Sequence, residues 1–114
     1  MVLVGRITVE DAARAFAPFV ARHGERIIKA ERLYRERDDR AALIEMVVVE
    51  AGHTQKFFIQ LSPRDDGLTV RLEPLTDPEK SAAVKGAIAE IAHRLRAATG
   101  AAYGSTNIEE HLVR

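Results

Sequence analysis

The sequence predicts an α+β fold, a two-layer sandwich in which a four-stranded antiparallel meander is flanked by an amino-terminal and a carboxy-terminal helix. Three observations predict this fold. Apolar residues recur at helical spacing near both ends of the chain, and turn residues separate alternating or continuous apolar runs between them. One cross-strand register also makes one sheet face almost wholly apolar, as a packed face must be. A chain of 114 residues suits a single domain over residues 1–114.

The first helix is predicted from the segment "TVEDAARAFAPFVARHG". Thr8 suits the N-cap, and Glu10 and Asp11 place negative charge at the positive end of the helix dipole. The apolar stripe continues to His23, while Pro18 predicts a kink or short break because its ring has no backbone N–H. We therefore expect one helix that reaches His23 and is bent near its middle.

The second helix is predicted from "TDPEKSAAVKGAIAEIAHRLRAATG". Asp77 as N-cap and Pro78 at the first helical position indicate its start, and Gly100 suits a left-handed C-cap. The apolar stripe of this helix comprises Val84, Ile88, Ile91 and Leu95. Residues 100–114 are expected to form a tail, either loosely held or with one or two helical turns capped by Ser105.

Residues 24–37, "GERIIKAERLYRER", admit two interpretations. As a continuation of the first helix they give a long amino-terminal helix and leave a three-stranded sheet. As a strand they give the four-stranded meander, with a favourable arginine–glutamate cross-strand pair. With a two-residue turn at Asp38-Asp39, the strand register sets Leu33 opposite Ile44, Tyr34 opposite Leu43, Ala30 opposite Val47 and Arg32 opposite Glu45.

The same register extends through the remaining hairpins. A turn at Gly52-His53 sets Val48 opposite Phe57, and the loop "SPRDDG" aligns Leu61 with Leu68. One consistent pattern across three hairpins is stronger support than local propensity, so the strand interpretation is favoured. The long-helix fold remains the alternative.

The sheet face directed away from the helices is also apolar in this register, although a solvated face should alternate to polar residues. An apolar patch rimmed by polar residues marks an interface or a ligand surface. The residues placed on this face are Ile28, Ala30, Tyr34, Leu43, Val47, Val49 and Phe58. The interface candidates among them are Ile28, Tyr34, Leu43, Val47, Val49 and Phe58.

Three kinds of cover are compatible with this face. The first, which is favoured, is a second copy in a two-fold symmetric dimer or another protein partner. The second is intrachain cover by a helix or by the carboxy-terminal tail. The third is a small-molecule ligand. The sequence thus predicts a non-enzymatic dimerising or protein-binding module.

Composition excludes several function classes. The chain has no cysteine, which removes disulfides, thiolate catalysis and cysteine–zinc sites. Its 17 basic and 17 acidic residues balance, which argues against nucleic-acid binding by bulk attraction to phosphates. A nucleic-acid-associated module that uses the arginine-rich first hairpin is kept as the alternative. Arginine far exceeds lysine, which is typical of a GC-rich bacterial genome.

Targeting signals also inform the expected location. No apolar run approaches the roughly 20 residues that a membrane-spanning helix needs. The segment "MVLVGRITVEDAAR" lacks the basic, apolar and small-residue order of a signal peptide. A cytoplasmic protein without a membrane partner is the expectation.

No residue is predicted to be catalytic or to bind a cofactor or metal. Glu90-x-x-His93 has the spacing of a di-iron helix pair, but the partner carboxylates are missing and His93 is expected to face solvent. His53 lies in a turn, and His23 is interpreted as a partly buried residue at a helix end. An enzyme or ligand binder with an unrecognised site, beside His53 or the carboxy-terminal segment, is the further alternative.

Overall fold

A long helix lies across a curled antiparallel sheet that forms a half-barrel. The computed structural model describes residues 1–73, 76, 78–79 and 81–104. Within this part, the strand order across the sheet is β2-β3-β4-β5-β6-β1-β7, and every neighbouring pair is antiparallel. The elements are β1 Val2–Val4, α1 Val9–Ala15, β2 Phe19–His23, β3 Arg26–Arg35, β4 Ala42–Glu50, β5 His53–Arg64, β6 Gly67–Leu72, α2 Ala82–Thr99 and β7 Ala102–Tyr103.

The hydrophobic core fills the space between α2 and the concave side of the sheet, here called the inner face. Successive strand residues point to opposite faces, so every second residue of β4 and β5 enters this core. Burial of these side chains is the main favourable contribution to folding. Ile44, Met46, Ile59 and Leu61 are completely buried there. They face a stripe on α2 that comprises Val84, Ile88, Ile91 and Leu95.

The predicted four-stranded meander flanked by two helices was wrong. The four predicted strands are present as β3–β6, but β2 extends one edge of the sheet and β1 and β7 extend the other. The sheet is therefore the largest part of the fold. Each strand is rotated relative to its neighbour, and this rotation accumulates across the sheet so that it curls. Neither of the two described helices has the length and apolar character needed to cross a bilayer.

The first helix is much shorter than its apolar stripe predicts. Thr8 and Asp11 form the reciprocal capping box at its start, and the helix ends at Ala15. Pro18 explains this end, because it disfavours helical geometry in the preceding residue and cannot donate an intrahelical hydrogen bond. The rest of the predicted stripe, Phe19–His23, is instead β2 and pairs with β3.

Residues 26–35 form a strand, so the long-helix alternative was also wrong. Arg32 lies opposite Glu45 and Tyr34 lies opposite Leu43, as predicted. A β-bulge between Ala30 and Arg32 then changes the register towards the start of β3.

The β-bulge moves two residues to the face opposite the one predicted. Ala30 lies opposite Met46 rather than Val47, and Ile28 lies opposite Val48. Both Ile28 and Ala30 consequently enter the core, where each is 2% exposed. Their predicted position on the other face was wrong.

The other two hairpins are displaced by two residues from the predicted register. The β4–β5 turn is Ala51-Gly52, so Phe57 lies opposite Met46. In the next hairpin Leu61 lies opposite Val70. A displacement of two residues preserves the face of each side chain, because the side-chain period of a strand is two.

The second helix begins later than predicted. Ser81 is its N-cap and accepts a hydrogen bond from the Val84 N–H at 3.3 Å, while Pro78 precedes the helix. Gly100 forms the predicted left-handed C-cap with φ of 76°. The predicted cap residues Asp77 and Ser105 lie outside the described residues.

Candidate functional site

The convex side of the sheet, here called the outer face, carries apolar side chains on three adjacent strands, β3, β4 and β5. Five of the six interface candidates lie there. The β4 candidates alternate along the strand with Ile44, Met46 and Val48, which are buried on the inner face. The other two lie opposite outward residues of β4. Ile28 does not, and its neighbour Ile27 takes the place beside Val49. We call the resulting set the outer patch: Ile27, Tyr34, Leu43, Val47, Val49 and Phe58.

The outer patch is held by neighbouring strands in the middle of the sheet. Tyr34 and Phe58 meet edge to face, with ring centroids 6.3 Å apart and an interplanar angle of 61°. The Tyr34 hydroxyl donates a hydrogen bond to Glu45 Oε2 at 3.3 Å. Tyr34 nevertheless remains 46% exposed. These contacts fix the orientation of the two aromatic side chains in the unbound protein. Less side-chain entropy is then lost when a partner binds.

Cationic side chains border the outer patch. Lys29 and Lys56 lie opposite Val47 on either side, and Arg32 lies opposite Glu45. All three cations are exposed. None of them forms a hydrogen bond or ion pair with the described part of the chain. These three cations place positive charge beside the outer patch that the neutral net charge of the chain conceals.

A second feature lies where β2 approaches α2 at the opening of the half-barrel. Glu90, on α2, is 8% exposed. Among the described residues it is the one charged residue that is buried. Its carboxylate accepts a hydrogen bond from Arg94 Nε at 2.9 Å and lies 3.8 Å from His23 Nε2. Arg94 in turn covers the ring of Phe19. The crevice here has two depressions: one, lined by Phe19 and Arg94, has a cavity volume of about 80 Å³, and the other, lined by His23 and Glu90, has a volume of about 170 Å³.

This crevice has the composition of a structural ion-pair cluster. Arg94 neutralises Glu90, so the carboxylate is not a free base, and Arg26 is paired with Glu50 at 2.8 Å. Across the described residues, no group of three potential metal ligands occurs. The charged residues Glu90, Arg94, Arg26 and Glu50 are therefore paired with one another rather than left free for a substrate.

The histidines are placed differently from their predicted positions. His23 lies in β2 rather than at a helix end, and it is exposed. His93 is half-buried rather than directed to solvent, and no described residue forms a hydrogen bond with its Nδ1. His53 is an exposed residue at the start of β5, and His111 lies outside the described residues.

Sequence reasoning missed the Glu90 cluster because its members are far apart in the chain. The spacing of Glu90 and Arg94 by four residues was a usable signal for an intrahelical ion pair. The approach of His23 carried no such signal, since β2 was interpreted as helix. No family model, no curated protein and no solved structure matches the chain.

Proposed function

We propose that the protein binds another protein through the outer patch, and that the bound segment of that partner combines apolar side chains with carboxylates. The observation that carries this proposal is the apolar stripe of β4, Leu43, Val47 and Val49, on a face that solvent would otherwise cover. Exposed apolar surface rimmed by polar groups is typical of protein–protein contacts. Its removal from water supplies the driving force for association.

The bordering charges support an acidic partner. Lys29 and Lys56 flank Val47, so a segment seated on Val47 passes between two ammonium groups. Carboxylates on both sides of an apolar stripe would pair with them. Such complementarity raises the association rate and selects against basic partners.

The same charges disfavour a second copy stacked face to face. A two-fold axis along β4 would place Lys29 of one copy over Lys56 of the other, because these residues occupy equivalent places on either side of Val47. Like charges in contact oppose association. The outer patch is thus complementary to a different chain rather than to itself.

Single-stranded nucleic acid is the competing ligand, since aromatic rings beside cations can stack bases. Two contacts argue against it. Tyr34 and Phe58 already pack edge to face against each other, and the Glu45 carboxylate beside them repels phosphate. The test therefore includes an oligonucleotide.

Two synthetic amphipathic peptides test the proposal. Both carry the same leucine stripe, flanked by glutamates in one peptide and by lysines in the other. Fluorescence anisotropy at low salt should show about tenfold tighter binding of the glutamate peptide. A tenfold difference in affinity is what a few favourable contacts between exposed charges supply. Val47→Asp should weaken that binding, and Lys29→Glu with Lys56→Glu should reverse the preference.

Lys85→Glu on α2 is the matched control, because it reverses one charge away from the outer face. It should leave both affinities unchanged, and circular dichroism should show that every variant is folded. Equal binding of the two peptides, or binding of neither, would contradict the proposal. Binding of a short oligothymidylate that Lys56→Glu abolishes would instead favour nucleic acid.

A further inference from the structure

The larger depression of the crevice has a wall in which one side chain is missing. It is lined by His23, Arg26 and Ile28 from the β2–β3 hairpin and by Gly86 and Glu90 from α2, and its volume is about 170 Å³. Gly86 and Glu90 are four residues apart and therefore lie on the same side of the helix. This depression, here called the Gly86 pocket, thus has a glycine beside the buried carboxylate of Glu90.

Gly86 weakens α2 at a position where a larger residue fits. Glycine is among the least favourable residues in a helix interior, because it loses the most backbone entropy on folding. A Cβ at this position would meet Ile28 Cδ1 at 3.5 Å, which is ordinary van der Waals contact. Alanine would therefore fit and would favour the helix. A residue that lowers stability where a better one fits is typical of a functional position, and here it enlarges the pocket.

One oxygen of the Glu90 carboxylate is left for a ligand. Oε1 accepts the hydrogen bond from Arg94 Nε at 2.9 Å, whereas Oε2 accepts none from the described residues. His23 Nε2 lies 3.8 Å from Oε2, which is too far for a hydrogen bond. A buried acceptor without a donor is unfavourable. The space beside Oε2 therefore suits a group that donates a hydrogen bond.

The charges around the Gly86 pocket favour a neutral donor. Arg94 already neutralises Glu90, and the guanidinium of Arg26, which is paired with Glu50, lines the same pocket. A ligand ammonium would find no net negative charge here, and a ligand carboxylate would be repelled by Oε2. A hydroxyl group avoids both penalties, because its single oxygen can donate to Oε2 and accept from an Nε2–H of His23.

We propose that the Gly86 pocket binds a small neutral alcohol. Its hydroxyl group bridges Glu90 Oε2 and His23 Nε2, since one oxygen about 2.8 Å from each atom spans their separation. Its carbon atoms lie against Gly86 and Ile28. A water molecule occupies roughly 30 Å³ in the liquid, so the pocket suits a ligand of about five or six non-hydrogen atoms. Few polar groups converging in an otherwise apolar cavity are typical of small-molecule sites.

Three probes of similar size test this ligand class. Cyclopentanol, cyclopentanone and cyclopentylamine share one ring and differ in a single polar group. Titration of isotope-labelled protein, followed by the amide resonances of Gly86 and Glu90, should give a millimolar Kd for the alcohol. The ketone should bind about tenfold more weakly, because it leaves Oε2 without a donor. The amine, which is protonated at neutral pH, should also bind more weakly than the alcohol.

Variants of Gly86 test the location. Gly86→Leu extends a side chain into the pocket and should abolish the cyclopentanol shifts. Gly86→Ala should reduce the affinity by a smaller factor and should raise the melting temperature, since alanine favours the helix. Ala97→Leu is the matched control, because it adds a side chain at an exposed position of α2 that does not line the pocket. It should leave the affinity for cyclopentanol unchanged.

Several results would overturn the proposal. They are the absence of cyclopentanol shifts at tens of millimolar, equal affinities for the alcohol and the ketone, and tighter binding of the amine. Equal effects of Gly86→Leu and Ala97→Leu would also contradict it. If Gly86→Leu does not fold by circular dichroism, Gly86→Ala decides the location, and an unchanged affinity counts against the pocket.

This site goes beyond the proposed function and does not depend on it. The Gly86 pocket lies between α2 and the β2–β3 hairpin on the concave side of the sheet, whereas the outer patch lies on the convex side. The alcohol and peptide titrations therefore report on different surfaces, and either proposal can fail without the other.

Discussion

The guanidinium carbon of Arg94 lies 3.7 Å from the centroid of the Phe19 ring. This contact joins α2 to the edge strand β2 and lines one of the two depressions of the crevice. The same arginine binds Glu90 through Nε. One side chain therefore holds β2 against the helix by two kinds of electrostatic contact.

The Phe19–Arg94 contact should give a measurable coupling energy. Phe19→Leu, Arg94→Gln and the double variant form a cycle whose interaction term should be about 0.5–1 kcal/mol, as is usual for a partly exposed cation–π pair. Urea unfolding of the unmodified chain and the three variants provides the four free energies of unfolding. The control cycle pairs Phe19→Leu with Arg96→Gln, because Arg96 lies over Tyr103 instead. Additivity in the first cycle would show that the contact contributes nothing.

Glu90 should contribute more to stability than His23. Glu90→Gln keeps the shape of a buried side chain but removes its charged hydrogen bond, so the free energy of unfolding should fall by about 1–2 kcal/mol. His23→Ala should cost much less, because the His23 side chain is 55% exposed and 3.8 Å from the carboxylate. Chemical denaturation at neutral pH measures both. A larger loss for His23→Ala would contradict this ranking.

The β4–β5 turn should become more stable with asparagine at residue 51. Ala51 and Gly52 have φ values of 51° and 75°, the left-handed geometry of a two-residue hairpin turn. Alanine is unfavourable there, whereas asparagine adopts this conformation readily, so Ala51→Asn should raise the free energy of unfolding by about 0.5–1 kcal/mol. Gly52→Ala should lower it. An unchanged or lower melting temperature for Ala51→Asn would be inconsistent with this turn.

Gly67 should tolerate no side chain. A Cβ at this position would overlap the backbone carbonyl of Leu3, where β1 pairs with the start of β6. Gly67→Ala should therefore displace β1 and lower the free energy of unfolding by more than about 2 kcal/mol. Gly24→Ala is the matched control, since nothing lies within 4 Å of its Cβ and only its φ of 63° opposes the change. Hydrogen exchange of the β1 amides should rise in the first variant alone.

The sequence predicted the strand segments better than their partners. Alternation in β4, β5 and β6 depends on neighbouring residues along one chain segment, and it assigned the faces of Met46, Phe57 and Val70 correctly despite the displaced turns. The first helix was predicted to be too long. Helical spacing fits the positions of Phe16, Phe19, Val20 and His23, but so does a chain that turns at Pro18. Local spacing cannot separate these two conformations.

The candidate site was predicted in the same uneven way. Tyr34, Leu43, Val47, Val49 and Phe58 were placed on the outer face by register alone. Ile28 was misplaced, because the β-bulge after Ala30 exchanges the faces of all preceding residues in β3. The bulge is a property of how β3 pairs with β4, and the residues of the segment do not indicate it.

The sequence by itself determined features that arise from near neighbours: the capping box of Thr8, the left-handed Gly100 and the alternation that makes β4 apolar on both faces. Tertiary structure alone decided that β1 pairs with β6, that β7 joins β1, and that His23 approaches Glu90. Caps and alternation follow from local geometry and side-chain polarity. The long-range pairs form only because the sheet curls around α2, and the burial gained across the whole core outweighs the entropy lost in closing those long loops.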